Sequence, residues 1–284
     1  MKNKLYIFFI IIVSVFISQT VFSAVANVSS QAFTTCVAEG AMMTDDSDCK
    51  ATPTQYSIKI YEMGLCESHP YGTSKTSATI DKSSCTVTYT DASPVAVDVA
   101  AAIGSTLPLT GTSTPPAEGT FKYPYMIMDK AFTVSGSFTN TVSGTTTTYY
   151  SAADFAVSTD EADFAANTDN LTNFGDGSCG SGYIGANVTG GTLDGFITDT
   201  AYARSQSSEI TNGSCDKSGR LVAVMTLNNP VQVTSDTIAV IFRFILTDYG
   251  IQFADGDDAG VVPDASDGFG SAPFSGYFTV LNAN

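Results

Sequence analysis

TIAVIFRFILTD, residues Thr237 to Asp248, is apolar on both of its alternating faces. Val240, Phe242, Phe244 and Leu246 fall on one side, and Ala239, Ile241 and Ile245 on the other. Successive side chains of a strand point to opposite faces, so a strand apolar on both needs cover on both. The stretch therefore predicts a strand in the middle of a layered β architecture rather than at its rim. Arg243 interrupts the second face, and its long stem suits a side chain that crosses apolar surface and carries its charge to the rim. Leu221 to Leu227 (LVAVMTL), ended by Asn228-Asn229-Pro230, is expected to pair nearby. Tyr277 to Leu281 (YFTVL) is expected to be the last strand.

The same period of two recurs toward the N-terminus. Tyr56, Ile58 and Ile60 oppose Ser57, Lys59 and Tyr61, and Cys85, Val87 and Tyr89 repeat the pattern. Val95, Val97 and Val99 alternate with Ala96, Asp98 and Ala100. Phe121, Tyr123, Tyr125 and Ile127 make a further stripe, with Pro124 on the opposite face. Proline has no N–H to give a ladder, so this segment predicts an edge strand or a bulge at Pro124. Phe132, Val134 and Phe138, the polar turn Thr139 to Gly144 and then Thr145 to Tyr150 predict a hairpin. Beyond residue 26 no long apolar run has helical spacing. The fold class is all-β: an antiparallel β-sandwich, jelly-roll or Ig-like in style, with long irregular loops and at most one or two short helices.

Two stretches interrupt the pattern. Gly104 to Gly119 (GSTLPLTGTSTPPAEG) predicts a long loop or linker. Ser151 to Arg204 is poor in strand signal, and Thr159 is placed to cap one short helix through Ala165. A single domain over residues 27–284 accommodates these features; the alternative is a split near residue 155 into two β subdomains.

The N-terminus sets the compartment. Lys2 and Lys4 precede an apolar run from Leu5 to Phe22, followed by the small residues of Ala24-Val25-Ala26. This is the pattern of an export signal over residues 1–26, cleaved after Ala26. The alternative is an uncleaved anchor, which Ser14, Ser18, Gln19 and Thr20 weaken. Export predicts a secreted or cell-surface protein, with the periplasm as the alternative. All six cysteines follow the leader, so disulfides are expected. They fall into three sequential couples, Cys36–Cys49, Cys66–Cys85 and Cys179–Cys215, each closing a small loop. Zinc is a poor competitor, because no CxxC pair exists and His69 is the sole histidine.

Without Lys2 and Lys4 the chain carries 10 basic against 28 acidic residues, a net charge of −18. Such a surface repels nucleic acid and anionic lipid; it serves solubility or, more specifically, cation binding. Asp255-Gly-Asp257-Asp258-Ala-Gly260 resembles the start of an EF-hand loop. Ala259 and Ser266 stand where that loop needs ligands, so an EF-hand is ruled out. What survives is an oxygen-rich loop in which Asp255, Asp257, Asp258, Asp264 and Asp267 are candidate Ca2+ ligands. Asp45, Asp46 and Asp48 in the first disulfide loop form a weaker candidate. The competing reading is that Asp and Gly are good turn formers.

Catalytic patterns are sparse. A Ser/His/Asp triad would have to use His69, and no Gly-x-Ser-x-Gly elbow exists. Beside Pro70 in a disulfide loop, His69 is expected at the surface. Carboxylate pairs for hydrolysis always exist among 28 acids, but the chain has no tryptophan to build a sugar platform. No catalytic residue and no cofactor other than Ca2+ is assigned. Sequons occur at Asn27, Asn170, Asn187 and Asn212. The leading expectation is a non-enzymatic structural or adhesive protein, a filament or surface-layer subunit. It would self-assemble by strand addition at an exposed sheet edge, with the Pro124 strand and Tyr277 to Leu281 as the edges. The second is a glycan- or ligand-binding module that uses Tyr71, Tyr149 and Tyr150 as stacking surfaces, and the third a carboxylate hydrolase.

Overall fold

Alternating segments from both halves of the chain meet in one seven-stranded antiparallel sheet. The computed structural model describes residues 10–12, 34–36, 48–75, 77–172, 182–188, 190–204, 210–211, 214–215, 218–254, 267–272 and 274–283. The sheet order is Tyr183–Val188, Gly191–Thr198, Arg220–Leu227, Tyr123–Asp129, Ile60–Cys66, Cys85–Thr90 and Thr112–Ser113. Tyr123–Asp129 therefore sits in the middle, contrary to the edge position its proline suggested. The register explains why. Pro124 lies opposite Leu65 on one side, while the ladder to Arg220–Leu227 begins one residue later, at Tyr125 opposite Val224. The missing N–H falls in a gap of that second ladder, which resumes where the Leu227 N–H donates to the Lys122 carbonyl at 3.0 Å. The irregularity in this strand lies between Ile127 and Met128, not at Pro124. Arg220–Leu227 likewise departs from expectation: it pairs with Tyr123–Asp129 and Gly191–Thr198, not with Thr237–Ile245.

One face of this sheet feeds the main core. Met63, Leu65, Met126, Met128, Leu221, Ala223 and Met225 are buried there. Across from them packs the pair Thr237–Ile245 and Ser275–Asn282, in register with Val240 opposite Val280 and Phe242 opposite Phe278. A small apolar cavity between the layers is lined by Met126, Ala223, Met225, Phe242, Gly276 and Phe278. A second, six-stranded sheet built on Ala131–Val142, Thr145–Ser151 and Pro53–Ile58 contributes Tyr56, Ile58, Phe132 and Val134 to the same core. Phe274 joins the parts, its ring 6.1 Å from that of Tyr56 and 5.2 Å from that of Phe244. The architecture is an all-β sandwich.

Thr237–Ile245 is buried on both faces along most of its length, with Arg243 half-buried and Ile238 exposed at its start. Its place in the hydrogen-bond order is different from that expected. Among the described residues its only ladder partner is Ser275–Asn282. Ile10–Ile12, from the N-terminal apolar run, lies against it and forms an antiparallel ladder with Thr106–Pro108. The Gly104 to Gly119 stretch is therefore not a linker: Thr106–Pro108 pairs with Ile10–Ile12, and Thr112–Ser113 with Tyr89 and Thr90.

The expected hairpin forms, but its turn is tighter. Ladder pairing runs to Val142 opposite Thr145, so only Ser143 and Gly144 turn, at φ of 51° and 82°. That is the mirror-image turn whose twist suits adjoining strands, and glycine takes it without strain. The weakly patterned region after Ser151 holds two 3-10 turns rather than one helix, Ala153–Phe155 and Glu161–Asp163. The second is capped by Asp160, whose carboxylate accepts from the Ala162 N–H at 2.9 Å; Thr159 is not the cap. The same region supplies Asn167–Asn170, Tyr183–Val188 and Gly191–Thr198 to the sheets. Cys36–Cys49 and Cys66–Cys85 are bonded as expected. Cys179 lies outside the described residues, and with it the third pairing.

Candidate functional site

The second face of the seven-stranded sheet carries the polar chemistry. Tyr125, Ile127, Val222, Val224, Phe196 and Cys66 lie there, one residue out of step with the main-core set. Tyr125 stands opposite Gly64, where any Cβ would collide with its ring. The glycine lets the ring cross the neighbouring strand, and the phenol donates to Glu62 at 2.5 Å. Lys82 reaches the same carboxylate at 2.8 and 3.0 Å. Burial, together with the hydrogen bond to the Glu62 carboxylate, pushes the Tyr125 phenol far above its ordinary range.

Two loops cover this face. Residues 67–84 are closed by Cys66–Cys85, which joins directly opposed residues of adjacent strands. Residues 199–204 meet them, with the Arg204 N–H donating to the Ala78 carbonyl at 2.8 Å. The Arg204 guanidinium lies 4.8 Å from the Phe196 ring centre and donates to the Lys75 carbonyl.

Beneath the loops Asp194 is completely buried. Gly191–Thr198 places it two residues from Phe196, hence on the same face. Its carboxylate accepts from Lys75 Nζ at 2.8 Å, Tyr183 Oη at 2.8 Å and His69 Nε2 at 3.3 Å. Burial alone would raise this carboxyl. Hydrogen bonds from His69, Lys75 and Tyr183, with the charge of Lys75, outweigh it and hold the group below its ordinary value. Tyr183 responds in the opposite sense: burial and its bond to Asp194 push the phenol up to about 12.

His69 is thus buried, not at the surface. The Tyr71 N–H donates to Nδ1 at 3.1 Å, which leaves Nε2 as the protonated nitrogen facing Asp194. Both ring nitrogens are committed, so in this arrangement the imidazole has no lone pair with which to activate a hydroxyl. The cluster ties the 67–84 loop to the sheet, drawing residues 119 and 125 positions apart onto one carboxylate. Sequence reasoning missed Asp194 entirely. The signal available was a histidine and a lysine sharing one disulfide loop in a chain with few basic residues.

The other expected site residues are scattered. Asp255, Asp257, Asp258 and Asp264 lie outside the described residues, as do Asp45 and Asp46. Asp267 is buried, and its charge adds to burial in raising the Tyr149 phenol. No group of three or more metal-ligating side chains occurs among the described residues. Tyr71 and Tyr149 are buried and Tyr150 is half-buried, so the first two offer no stacking surface. Two disulfides are marks of an oxidising, extracellular environment. No helix among the described residues is long and apolar enough to cross a membrane.

Sheet edges are the remaining candidate. Among the described residues Tyr183–Val188 ladders on one side only, with Gly191–Thr198. It carries neither lysine nor proline, the residues that usually blunt an edge. No protein-family model matches the chain, and no curated protein or solved structure matches it either.

Proposed function

We propose that the chain is exported and serves at the cell surface as a non-enzymatic structural or adhesive protein, assembling with copies of itself by strand addition. The observation that carries this reading is the unblunted outer strand Tyr183–Val188, laddered on one side among the described residues. An open edge presents a row of N–H and C=O groups that another strand satisfies at little cost in rearrangement. The disulfides support an extracellular site of action. Net charge sets the condition: at −18, copies repel one another in dilute buffer, and salt screens that repulsion within about 10 Å at 0.1 M.

Electron microscopy of the chain from Asn27 to Asn284, in low and in marine-strength salt, tests the reading. Ordered filaments or arrays that multiply with salt are expected. Dispersed single particles at every salt and protein concentration would overturn it.

A further inference from the structure

Thr237–Ile245 is apolar on both faces, and among the described residues it is laddered along one edge. Its other neighbour is Ile10–Ile12, which pairs with Thr106–Pro108 in the register Ile10–Pro108, Ile11–Leu107 and Ile12–Thr106. A single apolar segment thus touches both Thr106–Pro108 and Thr237–Ile245. That segment belongs to the run Leu5 to Phe22, which has the sequence of a cleaved leader. Cutting after Ala26 removes the segment, leaves Thr106–Pro108 without its ladder partner and vacates the place beside the unladdered edge of Thr237–Ile245. Unpaired backbone groups inside an apolar wall are costly, so the vacated place favours any extended segment that can bond there.

We infer that the leader acts as an internal plug, and that its removal opens an acceptor slot beside Thr237–Ile245 for the N-terminal segment, residues 27–33, of a second copy. This rests on the self-assembly reading but places the contact beside Thr237–Ile245 rather than at Tyr183–Val188, and it names the partner and the trigger. The donor is the segment of the mature chain that precedes Thr34–Thr35. Thr34–Thr35 pairs parallel with Cys49 and Lys50, and Cys36–Cys49 locks it there. The seven residues before it (NVSSQAF) carry no charged side chain, offer Val28, Ala32 and Phe33, and reach about 23 Å when extended. They are less apolar than the leader they replace. Assembly would therefore be weaker than plugging, and would start only once the leader is gone.

The test uses the chain with its leader, the chain 27–284 and the chain 34–284, compared by light scattering. A synthetic peptide of Ile7 to Val15 with a lysine tail serves as a soluble plug, and the same peptide with Ile11→Pro as a control that lacks one N–H. The expected results are a monomeric precursor and an assembling 27–284 chain. Assembly should be lost on adding the plug but not the control, and the 34–284 chain should stay monomeric. Assembly that the plug leaves untouched overturns the slot, while the self-assembly reading stands on another edge. Assembly of 34–284 as readily as 27–284 overturns the donor. A 27–284 chain that binds the plug yet never assembles overturns both the inference and the self-assembly reading. So does one that neither binds nor assembles.

Discussion

Tyr123–Asp129 is bonded along both edges although it contains a proline, whereas Thr237–Ile245, free of proline and apolar on both faces, is laddered along one. Both are buried on both faces. In the first, the main core lies on one side and the disulfide loop with its Asp194 cluster on the other. In the second, residues of both faces are buried while only one edge is laddered among the described residues. The difference teaches that facial burial and lateral pairing are separate quantities. Side-chain polarity reports the first, because it records what each face touches. The second depends on which backbone arrives alongside, and that is set by segments far away in sequence.

The comparison breaks most sharply by removing the single ladder. A chain ending at Phe274 lacks Ser275–Asn282 and leaves Thr237–Ile245 unladdered among the described residues. Loss of a cooperative thermal transition is expected by circular dichroism. A truncated chain that still melts cooperatively near the parent temperature would mean that Thr237–Ile245 is held by its faces alone.

Next in size is the facial burial itself. Phe244 is completely buried, against Phe242 at 4.6 Å and Phe274 at 5.2 Å. Phe244→Ala should cost about 3–5 kcal/mol in denaturant unfolding. A loss below about 1 kcal/mol, the range of tolerated volume-conserving swaps, would show that the two layers are not closely packed there.

The covered face of Tyr123–Asp129 is probed at Asp194. Asp194→Ala strands the Lys75 ammonium, the Tyr183 hydroxyl and the His69 ring. Because the Lys75 side chain is one-third exposed, the loss should lie at the lower end of the roughly 3–5 kcal/mol typical of broken buried pairs. The pH dependence follows from the lowered carboxyl. Its stabilisation is fully present above the unfolded-state value of about 3.9 and is lost as pH falls below that toward the folded value. Urea titrations of Asp194→Asn should show a flatter acid limb. An unchanged acid limb would mean that other carboxylates govern acid unfolding.

Much of this was legible in the residues, and the limits have physical causes. The alternation of Tyr56, Ile58 and Ile60 and of Val240, Phe242 and Phe244 gave strands and buried faces, because each face records its own environment. The two described disulfides followed from small loops flanked by strands. Gly191–Thr198 was not legible: Gly191, Asp194 and Gly195 break its apolar pattern, and Asp194 looks like a turn residue until His69 and Lys75 meet it. The acids of 255–267 looked like a site because clustered Asp and Gly read alike as ligands and as turns; Asp267, which the structure describes, is buried.

The smallest effect is the most direct test of the comparison. If Pro124 is tolerated in a central strand because its nitrogen faces no ladder, restoring an N–H there should add no bond. Pro124→Ala should then lose only the benefit of a restricted unfolded chain, about 0.4–1 kcal/mol, with no gain from pairing. The backbone around it supports this: the ladder to Arg220–Leu227 stops at Tyr125, and the next bond on that side runs from the Leu227 N–H to the Lys122 carbonyl, which leaves a gap at Pro124. A variant more stable than the parent would mean that an alanine N–H finds a carbonyl at this position. Proline would then be a cost carried by the centre of the sheet, and its place in a gap of the ladder would no longer explain why it is tolerated.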